Sequence, residues 1–170
     1  MKKRIVLSLI LACFFALSSF AQKVNKFGHI NSAELLGLMP ERKVAAAKMD
    51  TITKEMQKQL EEMMTEYKAK QDKYVKDQPT MSAPVKATKE EELQSIGTRI
   101  QSFQQTAQES IEEQQQKLME PIISKAKKVI EVVAKENGYT YIFDTSLGSL
   151  LYWEESDNVL NLVKKKLNLP

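Results

Sequence analysis

Gly97 is the only glycine between Gly37 and Gly138, and the long stretch around it carries apolar residues at helical spacing. From Glu41 to about Asp77 they recur at Ala45, Met49, Ile52, Met56, Met63, Tyr67 and Tyr74. The steps are three, four or seven residues, the sevens passing over polar Gln59 and Lys70. Such a stripe predicts one helix with a heptad-like face, roughly 55 Å long at ~1.5 Å per residue. A second stripe, Leu93, Ile96, Ile100, Phe103, Ala107, Ile111, Gln114 and Leu118, continues past Pro121 as Ile122, Ala126, Val129 and Val133. It predicts a helix from about Val85 to Asn137, kinked near Glu120 by the proline and stopped at Gly138. Gly97 costs that helix about 1 kcal/mol relative to alanine. Residues 78–84, with Pro79, Ser82 and Pro84, break the pattern as a turn. Two matched stripes joined by a short turn make an antiparallel coiled-coil hairpin, too long for a compact domain of this size, so it must project as an arm.

The ends of the chain have a different texture. Lys2, Lys3 and Arg4 precede an apolar run from Ile5 to Leu17, and Ser19 and Ala21 follow as small residues. That order predicts a secretory signal peptide cleaved after Ala21. The apolar run is shorter than the ~20 residues of a spanning helix. A lipoprotein signal ending at Cys13 fits less well, because it would cut the apolar stretch midway. Removing the three basic residues from the chain's 25 leaves 22, equal to its 22 acids. The exported chain is then neutral and offers nothing for nucleic acid. It also loses Cys13, its sole cysteine, and with it any disulfide.

Lys26–Asn31 reads as a strand, with Phe27, His29 and Asn31 on one face and Gly28 and Ile30 on the other. Ser32 is the expected cap of a short helix, Ala33–Met39, after which Pro40 opens the long one. Near the C-terminus Tyr139–Phe143 is aromatic and β-branched, a strand signal. Residues 144–148 look like a turn, Ser149–Trp153 like a returning strand, and Asn158–Leu167 like a helix capped by Asp157 that buries Val159, Leu160 and Val163. The expected fold is therefore mainly α with a small β body: residues 22–40 and 137–170 form a three-strand body, and residues 41–136 a helical hairpin arm with its tip near 78–84.

Catalytic material is scarce. His29 is the one histidine, on a strand and without a sequence-local metal partner, so it reads as structural. Asp144 reads as a turn cap, since neither a phosphate loop nor a nucleophile elbow is present. Glu90, Glu91 and Glu92 suit the first turns of a helix. These readings exclude an enzyme and call for no cofactor and no metal. Charge along the hairpin is more informative. Lys68, Lys70, Lys73, Lys76, Lys86 and Lys89 face only Asp72 and Asp77 near the tip, whereas Glu90, Glu91, Glu92, Glu109, Glu112, Glu113 and Glu120 dominate the second limb. Such a tip could meet an anionic surface, lipid headgroups or lipopolysaccharide; it could also be ordinary solvated helix. Met49, Met56 and Met63, with Met64, Tyr67 and Tyr74, are either the hairpin seam or a surface that accepts unfolded chains.

The order signal, strand, two-helix arm, strand pair and final helix resembles the Skp/OmpH family of periplasmic chaperones. The stretches that carry the likeness are Asn137-Gly-Tyr-Thr-Tyr-Ile-Phe-Asp144, Leu150-Leu-Tyr152 with Asp157, Phe27-Gly-His-Ile-Asn31 and Glu120-Pro-Ile-Ile123. The resemblance implies a homotrimer in the periplasm whose β body joins three arms around a cavity. There, unfolded outer-membrane proteins are held without ATP. The family's basic arm tips match the six lysines above, although the neutral mature chain departs from a family that is often strongly basic. Ile30, Tyr141, Phe143, Leu151, Tyr152 and Val159 are the apolar candidates for the assembly surface, because so small a body buries too little core alone. The competing expectation is a coiled-coil spacer or tether of the envelope with no client.

Overall fold

The computed structural model of the chain describes residues 25–170; the expected signal peptide, its Ala21 cleavage site and Cys13 lie outside them. In order come β1 (Phe27–Ile30), α1 (Ser32–Leu38), α2 (Pro40–Asp77), a 3-10 turn (Gln78–Thr80), α3 (Ala83–Asn137), β2 (Tyr141–Asp144), a 3-10 turn (Glu155–Asp157) and α4 (Leu160–Lys166). At ~1.5 Å per residue, the 38 residues of α2 span about 57 Å and the 55 of α3 about 80 Å. The two run side by side as the expected hairpin.

The seam of that hairpin is a continuous line on α2: buried Ala45, then half-buried Met49, Ile52, Met56, Leu60, Met63, Tyr67, Lys70 and Tyr74. It differs from the sequence expectation at one point, where Gln59 is exposed and Leu60 takes its place. A strict seven-residue repeat drifts around a 3.6-residue helix, and an extra four-residue step corrects the drift. The same four-residue steps fall on α3, from Phe103 to Ala107 to Ile111, all at least half-buried. Pro121 does not interrupt α3, which continues as one helix with the proline exposed. Gly138 ends it in the left-handed region at φ 70°, as its freedom from a Cβ allows.

The length by which α3 exceeds α2 builds the base. Ile122, Ala126 and Val133 join Ile30, Leu35, Met39 and Ala45, and Val159, Leu160 and Val163 close the core from below. β1 and β2 pair in parallel, Phe27 opposite Tyr141 and Ile30 opposite Asp144. Gly28 is needed there: a Cβ would lie 2.9 Å from the Tyr139 ring and 3.0 Å from Val159.

Several expectations at the base are corrected. Asn31, not Ser32, caps α1, its side-chain oxygen accepting from Glu34 N at 3.0 Å. The second strand begins at Tyr141 rather than Tyr139. α4 starts two residues late, because Asp157 is held in a 3-10 turn and Asn158 accepts the Leu160 amide at 2.9 Å. The expected third strand, Ser149–Trp153, does not form. One edge of β1 is taken by β2 and the other by the Val159 amide, which donates to His29 O at 2.9 Å. Only the end of the segment reaches the sheet's outer face, where Trp153 covers His29 with ring centroids 5.7 Å apart. The His29 Nε2–H donates to Glu154 O at 2.9 Å, so the histidine is a buried structural anchor.

Asp144 ties the end of β2 to the start of α1. It accepts from Ser32 N at 3.1 Å, Ser32 Oγ at 2.5 Å and Ser146 N at 2.9 Å. Burial pushes its carboxyl up, but the bonds from Ser32 and Ser146 outweigh that and hold it below its ordinary value. A depressed carboxylate stabilises the fold above the unfolded-chain value and loses that contribution as pH falls through the folded value. Asp144→Ala should cost about 1–3 kcal/mol in chemical denaturation at neutral pH, the usual effect of stranding half-buried donors. The gap between variant and parent should narrow in acid.

Candidate functional site

Two surfaces stand out: the arm and the outer face of the sheet. On that face the parallel register aligns Phe27, Tyr141 and Phe143. Phe27 stacks on Tyr141 at 6.0 Å between centroids, and Phe143 lies 6.2 Å from both. All three are exposed, as are Leu151 at 98% and Tyr152 at 78%. Of the six residues expected on the assembly surface, the structure therefore presents Tyr141, Phe143, Leu151 and Tyr152. Ile30 and Val159 are sealed in the core at 2% and 0% exposure, because they point at the helices. Phe27, which is not among the six, also belongs to the patch. Its alternation with Gly28, together with the aromatic pair at 141 and 143, was the available signal.

On the arm, Met49, Met56 and Met63 face the seam, half-buried, as do Tyr67 and Tyr74. Met64 alone of the group points outward, 54% exposed. Beside it lies an open groove of about 730 Å3 between α2 and α3.

Toward the tip the seam becomes polar. Lys70 reaches across from α2 to Glu92 on α3, and Lys89 meets the same carboxylate at 2.8 Å. The Tyr74 hydroxyl donates to Glu90, and Gln78 Nε2 donates to that hydroxyl at 3.1 Å. The Lys70 bond, followed by that from Lys89, holds the Glu92 carboxyl down to about 2. The reciprocal bond raises Lys70, and the Glu90 bond raises the Tyr74 phenol. The six tip lysines are thus not equivalent. Lys70 and Lys89 are bound to Glu92; Lys68, Lys73, Lys76 and Lys86 make no ion pair among the described residues. Glu92, read from sequence as a helix-start charge, is the cross-arm clamp, a role that depends on the pairing register of the two helices.

Among the described residues no group of three His, Cys, Asp or Glu side chains could hold a metal, and no helix is long and apolar enough to cross a membrane. What the geometry offers is a rod with a cationic end, an apolar groove along its side and an aromatic patch at its base.

Comparison with known proteins gives a consistent result. The family profile described as outer membrane protein (OmpH-like) matches residues 26–167. The chain is similar to proteins named chaperone protein Skp. The one from Photorhabdus luminescens is 26% identical over 156 residues, covering 89% of this chain and 91% of that one. The one from Vibrio cholerae is 26% identical over 171 residues, covering 98% of each. A crystal structure of an OmpH-like outer membrane chaperone from Caulobacter crescentus superposes with a TM-score of 0.75 over 87% of this chain and 86% of the other, at 15% identity. That likeness is one of fold.

The Glu92 clamp predicts a specific weakness. Glu92→Gln should speed amide exchange in residues 70–92 and leave the base unchanged. In the parent the same loosening should appear in acid, as pH falls from the ordinary carboxylate value of ~4.3 through about 2, where the folded-state group takes up its proton.

Proposed function

Because the chain belongs to the OmpH-like outer membrane protein family, we propose that it is a periplasmic holdase. It binds unfolded outer-membrane proteins and keeps them from aggregating, without nucleotide and without catalysis. The observation that carries this reading is the arm itself, a hairpin far longer than any core requires, joined to relatives named as chaperones over nearly their whole length.

Three copies supply what one lacks. The exposed ring cluster of Phe27, Tyr141 and Phe143, with Leu151 and Tyr152 beside it, is apolar surface at the base that no described residue covers. The outer edge of β2 has no strand partner among the described residues. Association through this face buries the rings and gives the Ser149–Trp153 segment a strand to pair with. The arms then stand around a common cavity. Clients are held there by many weak contacts and leave as they fold, so no energy source is required.

The arm tips complete the proposal. Lys68, Lys73, Lys76 and Lys86 contact anionic lipid or lipopolysaccharide, and Lys70 and Lys89 keep the tip closed. Contacts of this kind are screened by salt.

Native mass measurement should give a trimer, and a chain with residues 46–116 replaced by a short turn should keep that mass. A stable monomer from the shortened chain would move assembly to the arms. The trimer at stoichiometric amounts should suppress aggregation of a urea-unfolded β-barrel protein; no suppression leaves the protein an envelope spacer. Replacing Lys68, Lys73, Lys76 and Lys86 with glutamine should weaken sedimentation with anionic vesicles and remove its salt dependence, whereas the same change at Lys70 and Lys89 should act mainly on tip closure.

A further inference from the structure

Midway along the arm the seam opens. The apolar lining of the groove of about 730 Å3 is Leu60, Met64, Tyr67 and Ile100, Gly97 adds a stretch of bare backbone, and polar side chains of α2 form the rest. Its volume is in the range of roughly 300–1,000 Å3 typical of sites that hold small ligands. A Cβ at Gly97 would meet no atom within 4 Å, and Gly97 is not among the residues with positive φ. Among the described residues, neither packing nor backbone conformation requires glycine there. A helix interior penalises glycine, and Gly97 leaves its stretch of the groove wall without a side chain.

We propose that this groove binds large apolar side chains from an extended segment of an unfolded polypeptide. The proposal rests on the holdase reading and gives it a place on the arm. The chemistry of the rim selects the occupant. Glu61 and Asp72 outnumber Lys68 there, which disfavours an anionic lipid. Gln57 and Gln71 offer uncharged donors and acceptors to a peptide backbone that has no secondary structure of its own. Met64, exposed and unbranched, adapts to side chains of different shape. A second arm is a poor occupant. Its apolar stripe is spent in its own seam, and the outward residues of α2 at this level, Lys54, Glu55, Lys58 and Glu62, are exposed and charged.

The glycine supplies an unusual test, because filling the groove should strengthen the arm. In the full chain, Gly97→Leu should raise or preserve the melting temperature, keep the native mass, and reduce retention of a urea-unfolded outer-membrane β-barrel protein several-fold. Gly97→Ala, which fills less space, should lose less. Met64→Glu, on an exposed position outside the seam, should reproduce the loss with no effect on assembly. A photo-reactive residue at Met64 in the parent should crosslink to the unfolded protein, and Gly97→Leu should suppress the crosslink. If Gly97→Leu and Met64→Glu both retain the client as the parent does, the groove is not the site, and the holdase reading survives without it. If the parent itself fails to retain the client, the holdase reading fails and the groove proposal with it.

Discussion

Everything in this molecule depends on the parallel pairing of β1 with β2. Parallel neighbours cannot be joined by a tight turn and need a crossover connection. In most folds that connection is a single helix laid on the sheet. Here it is the whole hairpin, so the arm is the crossover drawn out until it leaves the sheet. The pairing fixes where the hairpin begins and ends, and the extra length of α3 then falls where the two-strand sheet needs a helix to cover its inner face.

What holds the molecule together changes along its length. At the base, Leu35, Met39, Val159 and Val163 are fully sealed, and burial of apolar surface is the main term. Along the arm the seam residues are mostly half-buried, Ile96 being an exception at 5%. Each turn there is held by few contacts. At the tip the stabilising groups are Lys70, Glu92, Lys89, Tyr74 and Glu90, whose interactions are only partly buried, weak and screened by salt. Stability thus declines outward, and its character shifts from apolar to ionic.

The arm was the most legible part of the sequence, because a repeat of three and four residues leaves little choice of structure and needs no knowledge of the rest of the chain. Leu60 escaped because a heptad was extended one step too far across Gln59, where the helix took a four-residue step. The base was harder. Ser149–Trp153 has the composition of a strand, but both edges of β1 are taken, and the end of the segment is engaged by the His29 side chain instead. Ser32 has the chemistry of a helix cap, but Asp144, distant in sequence, binds it first. Glu92 and Gly97 acquire their roles only when the two helices are set in register, which no local pattern encodes.

The parallel sheet also imposes an order of events. Lys26 meets Thr140, 114 positions away, so β1 is made early and must wait for nearly the whole chain before it has a partner. Contacts so far apart in sequence are slow to form, since the intervening loop must be closed first. The hairpin offers a way round this delay. Its two limbs meet through one short turn near Met81 and can zip from there using neighbours alone, and each turn zipped shortens the loop that remains. When α2 and α3 are joined, the segments that carry β1 and β2 stand side by side. The outer end of the arm, the weakest part of the finished structure, is on this account the place where its folding starts.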